Sequence, residues 1–363
     1  NFRRYYSDFL LISCVEPDLI YRKRKSFYNS SQAYLTQLWP FGLSATSEVF
    51  FIRRMKIHFN KPPLPVEEQV KLLQSRGLIV LDPQRASRYL LSIGYYRFSA
   101  YCIPFEYCRG KIHQFNANVS FDEVLELYIF DRKLRCLFWE ALERVEIHIR
   151  TQWVYGLTTL TQDPFAHLNS NNFSSRKKYL EDLDKLRNEI NRSKEEVFVK
   201  HFSENYEEEI PPLWACVHLM TLGELIRWVQ NTHASDVKNR MARSFGFPKY
   251  YPFGSFAVAL TELRNVCAHH VRLWNRCFMK SPMLVKKLTV RGFEEFLPIE
   301  SSNKLYIFAV LLAAMLKAEN PKTSWPTRLG DLLSTRTQSQ LETMGFPHNW
   351  KEYEIWGQVG RRR

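Results

Sequence analysis

Between Ser120 and Tyr155 the chain holds one apolar period without interruption, and this limits the fold more than any other feature. Val124, Tyr128, Leu134, Phe138, Leu142, Val145 and Ile149 recur at near-helical spacing, a period that a strand, alternating every second residue, does not produce. Ser120 and Glu123 form a capping box at the head of the run, and Gly156 lies just past its expected end near Tyr155. A charged stripe, Arg132, Arg135, Glu143, Glu146 and Arg150, follows another face. Two readings of that stripe stay open: a solvated face with weak i,i+4 pairs, or the wall of a groove.

The helical period returns along most of the remaining chain. Val66, Val70 and Leu73 mark a helix after KPPLP, with Pro65 in its first turn and Gly77 at its end. Asp82-Pro83 starts a second helix that Gly94 stops, and YCRGKIHQF reads as a hairpin turning at Arg109-Gly110. Further helices are expected over about 174–202, from Leu213, over about 234–244, from Ser255 after the Pro252 and Gly254 break, and over 302–318. The fold class is therefore mainly α. We expect a small, mostly helical region over 55–118 and a larger α-helical domain over 119–363.

Residues 1–54 read differently. They hold none of the seven methionines, the first of which is Met55, and RKRK and RR interrupt aromatic runs that keep no lasting period. The natural start is expected at Met55, with 1–54 disordered sequence translated from upstream. A basic arm for nucleic acid is the other reading of this segment.

The chain carries 51 Lys and Arg against 37 Asp and Glu, a net charge of +14. Setting aside the eight basic and four acidic residues before Met55 leaves +10, so the surplus belongs to the main body. It favours a polyanionic partner, nucleic acid before membrane. The seven cysteines are odd in number and form no CxxC pair, as expected for reduced thiols in a cytoplasm. The longest apolar run, LYIFAVLLAAML over 305–316, is too short to cross a bilayer and is expected to be a buried helix.

The densest chemistry lies in RNVCAHHVRLWNR, Arg264 to Arg276. On a helix, Phe256, Leu260, Leu263, Cys267 and His270 form an inward stripe, and Glu262, Asn265, His269 and Arg272 line another face. Arg264 and His269, five positions apart, lie about 140° from each other and flank one surface. Zinc binding by Cys267, His269, His270 and Cys277 fits poorly, because adjacent residues diverge by about 100° and CxxC and HxxxH spacings are missing. Cys267 as nucleophile has the wrong spacing to His269 and faces inward. His270 reads best as a core histidine. The remaining chemistry is phosphodiester cleavage of RNA, with a histidine to move the 2′-OH proton and an arginine to neutralise charge on phosphorus. Neither a metal nor a cofactor is called for.

The chain resembles the Abi-like (abortive infection, AbiD/AbiF-type) bacterial family from about Met55 to Trp356. KPPLPVEEQVKLL, LLSIGYYRFSAY, FDRKLRCLFWEALERVEIHIRT, PPLWACVHLMTLGEL, RNVCAHHVRLWNR and MGFPHNW carry the likeness. The resemblance implies a HEPN-like helical bundle whose RxxxxH signature marks metal-independent endoribonucleases. Carried over, that signature falls on Arg264 and His269, with Asn265 as the polar residue after the arginine. It further implies phage defence or toxin–antitoxin behaviour, a homodimer that completes the site, and in some relatives a small structured RNA partner. His270, Arg272, Arg276, Arg132, Arg135 and Arg150 are the candidate RNA-binding residues. The alternative from another class is a non-catalytic RNA-binding or RNA-sensing module, and a third is a pure scaffold.

Overall fold

A computed structural model of the protein describes residues 62–109, 112–283, 288 and 303–356. The expectations for residues 1–54 and for a start at Met55 lie outside the described residues. Those described form thirteen α-helices and one two-stranded hairpin, so the chain is mainly α as expected. They divide into two compact units, with the boundary between Val124 and Leu125.

The first unit holds α1 (Val66–Ser75), α2 (Pro83–Ile93), α3 (Tyr95–Cys102), the hairpin and the first turn of α4 (Phe121–Thr161). Pro65 is the N-cap of α1 rather than part of its first turn. Asp82 caps α2 by accepting from the Arg85 backbone N–H, with Pro83 in the first turn. Gly94, at φ +86°, ends α2 and begins α3; a backbone geometry that side chains resist is what turns the chain here. β1 (Glu106–Arg109) pairs antiparallel with β2 (Ile112–Phe115), as the sequence led us to expect. The hairpin is tied to its neighbours through Phe115 N–H to Arg76 C=O, and the Phe98 and Phe121 rings stack at 4.7 Å.

The second unit is built along α4. The Ser120–Glu123 capping box is present in full at its head. The helix runs six residues beyond Tyr155, through Gly156 to Thr161. Gly156 acts as a packing residue: a Cβ there would lie 2.7 Å from Val237 Cγ1, so glycine lets the helix of Val237 approach. α5 (Arg176–Arg192) and α6 (Val197–Asn205) divide the charged stretch expected as one helix. The stretch from Leu213 likewise forms two helices, α7 (Leu213–Cys216) and α8 (Leu222–Asn231), the second opened by a Thr221–Glu224 capping box.

α9 (Ser235–Ser244) and α8 pack against α10 (Tyr250–Ala268), the helix that carries the arginine–histidine motif. α10 begins at Tyr250, not Ser255, because Pro252 falls in the first turn, where its missing N–H costs no hydrogen bond. The twelve-residue apolar run forms α11 (Leu305–Glu319), buried on every side. Its Phe308 ring meets Phe256 of α10 and Phe278. α12 (Trp325–Leu333) returns to α4, where Trp325 Nε1 donates to Leu137 C=O at 2.7 Å, and α13 (Gln338–Glu342) follows. Among the described residues no helix is long and apolar enough to cross a membrane.

Just past α4, His167 is fully buried, and neither ring nitrogen has a hydrogen-bond partner among the described residues. Burial lowers its pKa to about 4, against a smaller opposing effect of Asp163. Below about pH 6.5 the unfolded chain takes up a proton that the folded chain refuses until about pH 4. Stability therefore falls as pH drops through that window, by up to about 3 kcal/mol from this residue. Thermal melts between pH 7 and pH 4 should show the loss, and His167→Phe should flatten the profile.

Candidate active site

α10 buries Phe256, Leu260, Leu263, Val266 and Cys267 and leaves Asn265 exposed, as its apolar period requires. It ends at Ala268, four residues short of Arg272. His269 is the C-cap, and His270 takes the left-handed conformation at φ +55°. The His270 N–H donates to Cys267 C=O at 3.1 Å and the Val271 N–H to Val266 C=O at 3.0 Å. This pair of bonds is a Schellman ending, with a histidine where glycine is usual. The inward histidine expected at 270 is thus corrected: the helix stops before the stripe reaches it, and His270 is exposed beside His269.

The chain after α10 is held by two carboxylates. Asp131 of α4, fully buried, accepts from the backbone N–H groups of Leu273 and Trp274 at 3.1 and 2.6 Å and forms an ion pair with Arg135. Glu262 accepts from the Met279 and Lys280 N–H groups at 3.0 Å and lies 3.8 Å from Arg276 Nη2. Residues 269–280 are therefore fixed to α4 at one point and to α10 at another.

Arg264 is 28% exposed at its side chain. Its guanidinium carbon sits 5.8 Å from the Trp139 ring centroid, and its Nε lies 3.8 Å from Glu146 Oε2. Nη1 donates to Asn265 Oδ1 at 3.5 Å. Glu146 also pairs with Arg150, which in turn donates to the carbonyls of Val217 and Met220 in the turn between α7 and α8. The ring below and the carboxylate beside it hold Arg264 in a set direction.

The six candidate RNA-binding residues separate accordingly. Arg135 and Arg150 are 6% and 8% exposed, and their guanidinium groups are taken by carboxylates and carbonyls within the protein. This corrects the reading of both as surface contacts: Arg150 ties the turn between α7 and α8 to α4, and Arg135 is the counter-charge of the buried Asp131. Arg132 is exposed on α4 and lines a recess of about 420 Å³ with Lys133, Cys136 and Arg328. Arg272 and Arg276 stand on the loop after α10 and are partly exposed, and His270 is exposed. The buried Cys267 faces away from the exposed His269, and burial pushes its thiol up to about 12, so it stays protonated near neutral pH. Among the described residues no cluster of His, Cys, Asp or Glu is arranged to hold a metal ion.

Asp131 and Trp139 are the site residues that the sequence reading missed. Asp131 left a signal: it falls in the buried register with Leu127, Leu134 and Phe138, four residues before an arginine. A charge in a core register requires partners inside the protein.

Asp131→Ala should destabilise the fold by about 3–5 kcal/mol, because it leaves a buried arginine and two amides without their acceptor. Urea denaturation measures this. His270→Gly should instead stabilise by about 0.5–1 kcal/mol, since glycine accepts a positive φ without strain. A loss of stability in that variant would contradict the left-handed ending.

The family model described as Abi-like protein matches residues 88–275, a span that contains all of α4 and α10 and the motif through Asn275. No curated protein and no solved structure gives a significant match. With over half its length matched, the chain belongs to the Abi-like protein family.

Proposed function

We propose that the end of α10 is a metal-independent endoribonuclease site acting in abortive infection or a toxin–antitoxin system. Membership of the Abi-like family supports the abortive-infection role. The chemical reading rests on one observation above others: Arg264 and His269 both reach solvent at the terminus of a single helix, with Arg264 aimed by Trp139 and Glu146. In this reading the imidazole of His269 takes the proton of a ribose 2′-OH as that oxygen attacks the adjacent phosphorus. Arg264 offsets the charge gathering on the phosphoryl oxygens, and Asn265 helps to position it. The 5′-oxygen leaves with a proton, and the products are a 2′,3′-cyclic phosphate and a 5′-hydroxyl. The nucleophile belongs to the substrate, so no metal-bound water is needed.

The reaction needs an acid as well as a base at one phosphate. A second copy related by a two-fold axis would supply it from its own motif, which makes a homodimer the working unit. The exposure of His270 favours a second source within the same chain. The excess of basic residues suits both a target RNA and a small structured RNA that restrains the enzyme.

His269→Ala should lower RNA cleavage by roughly 10²- to 10⁴-fold, the usual worth of a positioned acid or base. Its melting temperature should hardly change, because the residue is exposed. Arg264→Ala should cripple cleavage and weaken RNA binding, while EDTA should leave the wild-type rate intact. Cleavage by His270→Gly at the wild-type rate would assign the acid to the second copy. A His269→Ala protein that cuts as fast as wild type, free of contaminating nuclease, would overturn the catalytic reading. Binding without any cutting by wild type would leave an RNA-sensing module.

A further inference from the structure

The second half of α4 and the start of α7 enclose a groove of about 640 Å³ that no step of the cleavage reading uses. Its volume lies within the range of small-ligand sites. Two large rings line it and are well exposed, Trp214 at 52% and Tyr155 at 69%. The backbone fixes their surroundings: Leu213 N–H donates to Pro164 C=O at 2.9 Å, holding the residue before Trp214 against the segment of Asp163.

The polar groups of the groove, which include His218 and Gln162, offer several acceptors. The Thr151 and Thr158 hydroxyls donate to Ile147 and Val154 carbonyls at 3.0 and 2.8 Å, which leaves their oxygen lone pairs for a ligand. Asp163 accepts from Phe165 N–H at 2.7 Å through one oxygen and keeps acceptor capacity on the other. Arg150, the arginine lining the groove, is already engaged by Glu146 and by the Val217 and Met220 carbonyls. Beside His218, a phosphate would meet a carboxylate here and a guanidinium already engaged. A flat ring with N–H donors on its edge would meet exposed aromatic side chains and acceptors.

We propose that this groove binds one unpaired RNA base, stacked on Trp214 and Tyr155, and that Asp163 with the two threonines selects a base bearing an exocyclic amino group. Adenine, cytosine and guanine carry that donor and uracil does not. The inference rests on the endoribonuclease reading for its choice of RNA, and the structure gives it a link to that site. Arg150 lines the groove and shares Glu146 with Arg264, so one carboxylate separates the base site from the motif arginine. The groove would then set which nucleotide flanks the scissile phosphate.

The test is fluorescence anisotropy of the full chain with labelled 2′-O-methyl pentamers of adenosine, cytidine and uridine, which resist cleavage by 2′-OH attack. The adenosine and cytidine pentamers should bind about 10-fold tighter than uridine. Trp214→Ala should weaken them by roughly 5- to 100-fold, the range seen on losing one base–aromatic stack. Asp163→Asn, which keeps an acceptor for Phe165 N–H, should remove the preference over uridine. Equal affinity for all three pentamers, or a Trp214→Ala protein with wild-type affinity and native circular dichroism, overturns the groove proposal and leaves the cleavage reading standing. A Trp214→Ala change in sedimentation without any change in RNA affinity also overturns it, assigning the face to a second copy. Failure of the wild type to bind any pentamer, despite cutting long RNA, sinks the groove alone. Failure to bind or cut any RNA sinks both.

Discussion

A single buried carboxylate organises the candidate site. Asp131 has no access to water, and it accepts two backbone N–H groups from the loop after α10 while pairing with Arg135 from the next turn of its own helix. Removing a charge from water is costly, and only dense hydrogen bonding with an opposite charge nearby offsets it. The loop must therefore take the course that presents Leu273 and Trp274 N–H groups to Asp131. That course sets where α10 stops and where the two histidines and Arg272 begin. The motif residues are reactive-type groups held by an inert one.

A second chain of contacts runs from Arg264 through Glu146 to Arg150 and on to the turn between α7 and α8. Glu146 makes one arginine a surface group and the other an internal tie. Arg264 is left partly open, over the Trp139 ring, while Arg150 spends its donors on backbone carbonyls that the turn between two helices would otherwise leave unpaired. One helix, α4, carries Trp139, Glu146 and Arg150 within four turns, so a single element positions groups contributed by several segments. Membership of the Abi-like family, which points to abortive infection, gives this arrangement its setting.

The end of α10 carries local strain. A histidine occupies a left-handed position where glycine would be easier, next to the histidine that caps the helix. The strained residue faces solvent. Packing does not ask for it, since the neighbouring core is complete with Leu263, Val266 and Cys267.

Apolar period and capping chemistry were legible because they are local. The start of α4, the cap of α2, the hairpin and the buried α11 all follow from residues within a few positions of each other. The split of the stretch from Leu213 into two helices, the extension of α4 past Gly156 and the stop of α10 at Ala268 were not. Each depends on a partner distant in sequence: Val237 against Gly156, Arg150 holding Val217 and Met220, Asp131 holding Leu273 and Trp274. RNVCAHH contains no glycine or proline to announce an ending, so periodicity carried the helix too far and turned His270 inward. Charged side chains were the other blind spot, because Arg132, Arg135 and Arg150 share a helix and a chemistry and differ only in what surrounds them. A helical protein with one dense cationic and histidine-bearing segment could be read from the chain alone, because helical period and composition are written residue by residue. Which of those charges remain at the surface was settled by folding, because the cost of burying a charge depends on the partners that the packed helices bring to it.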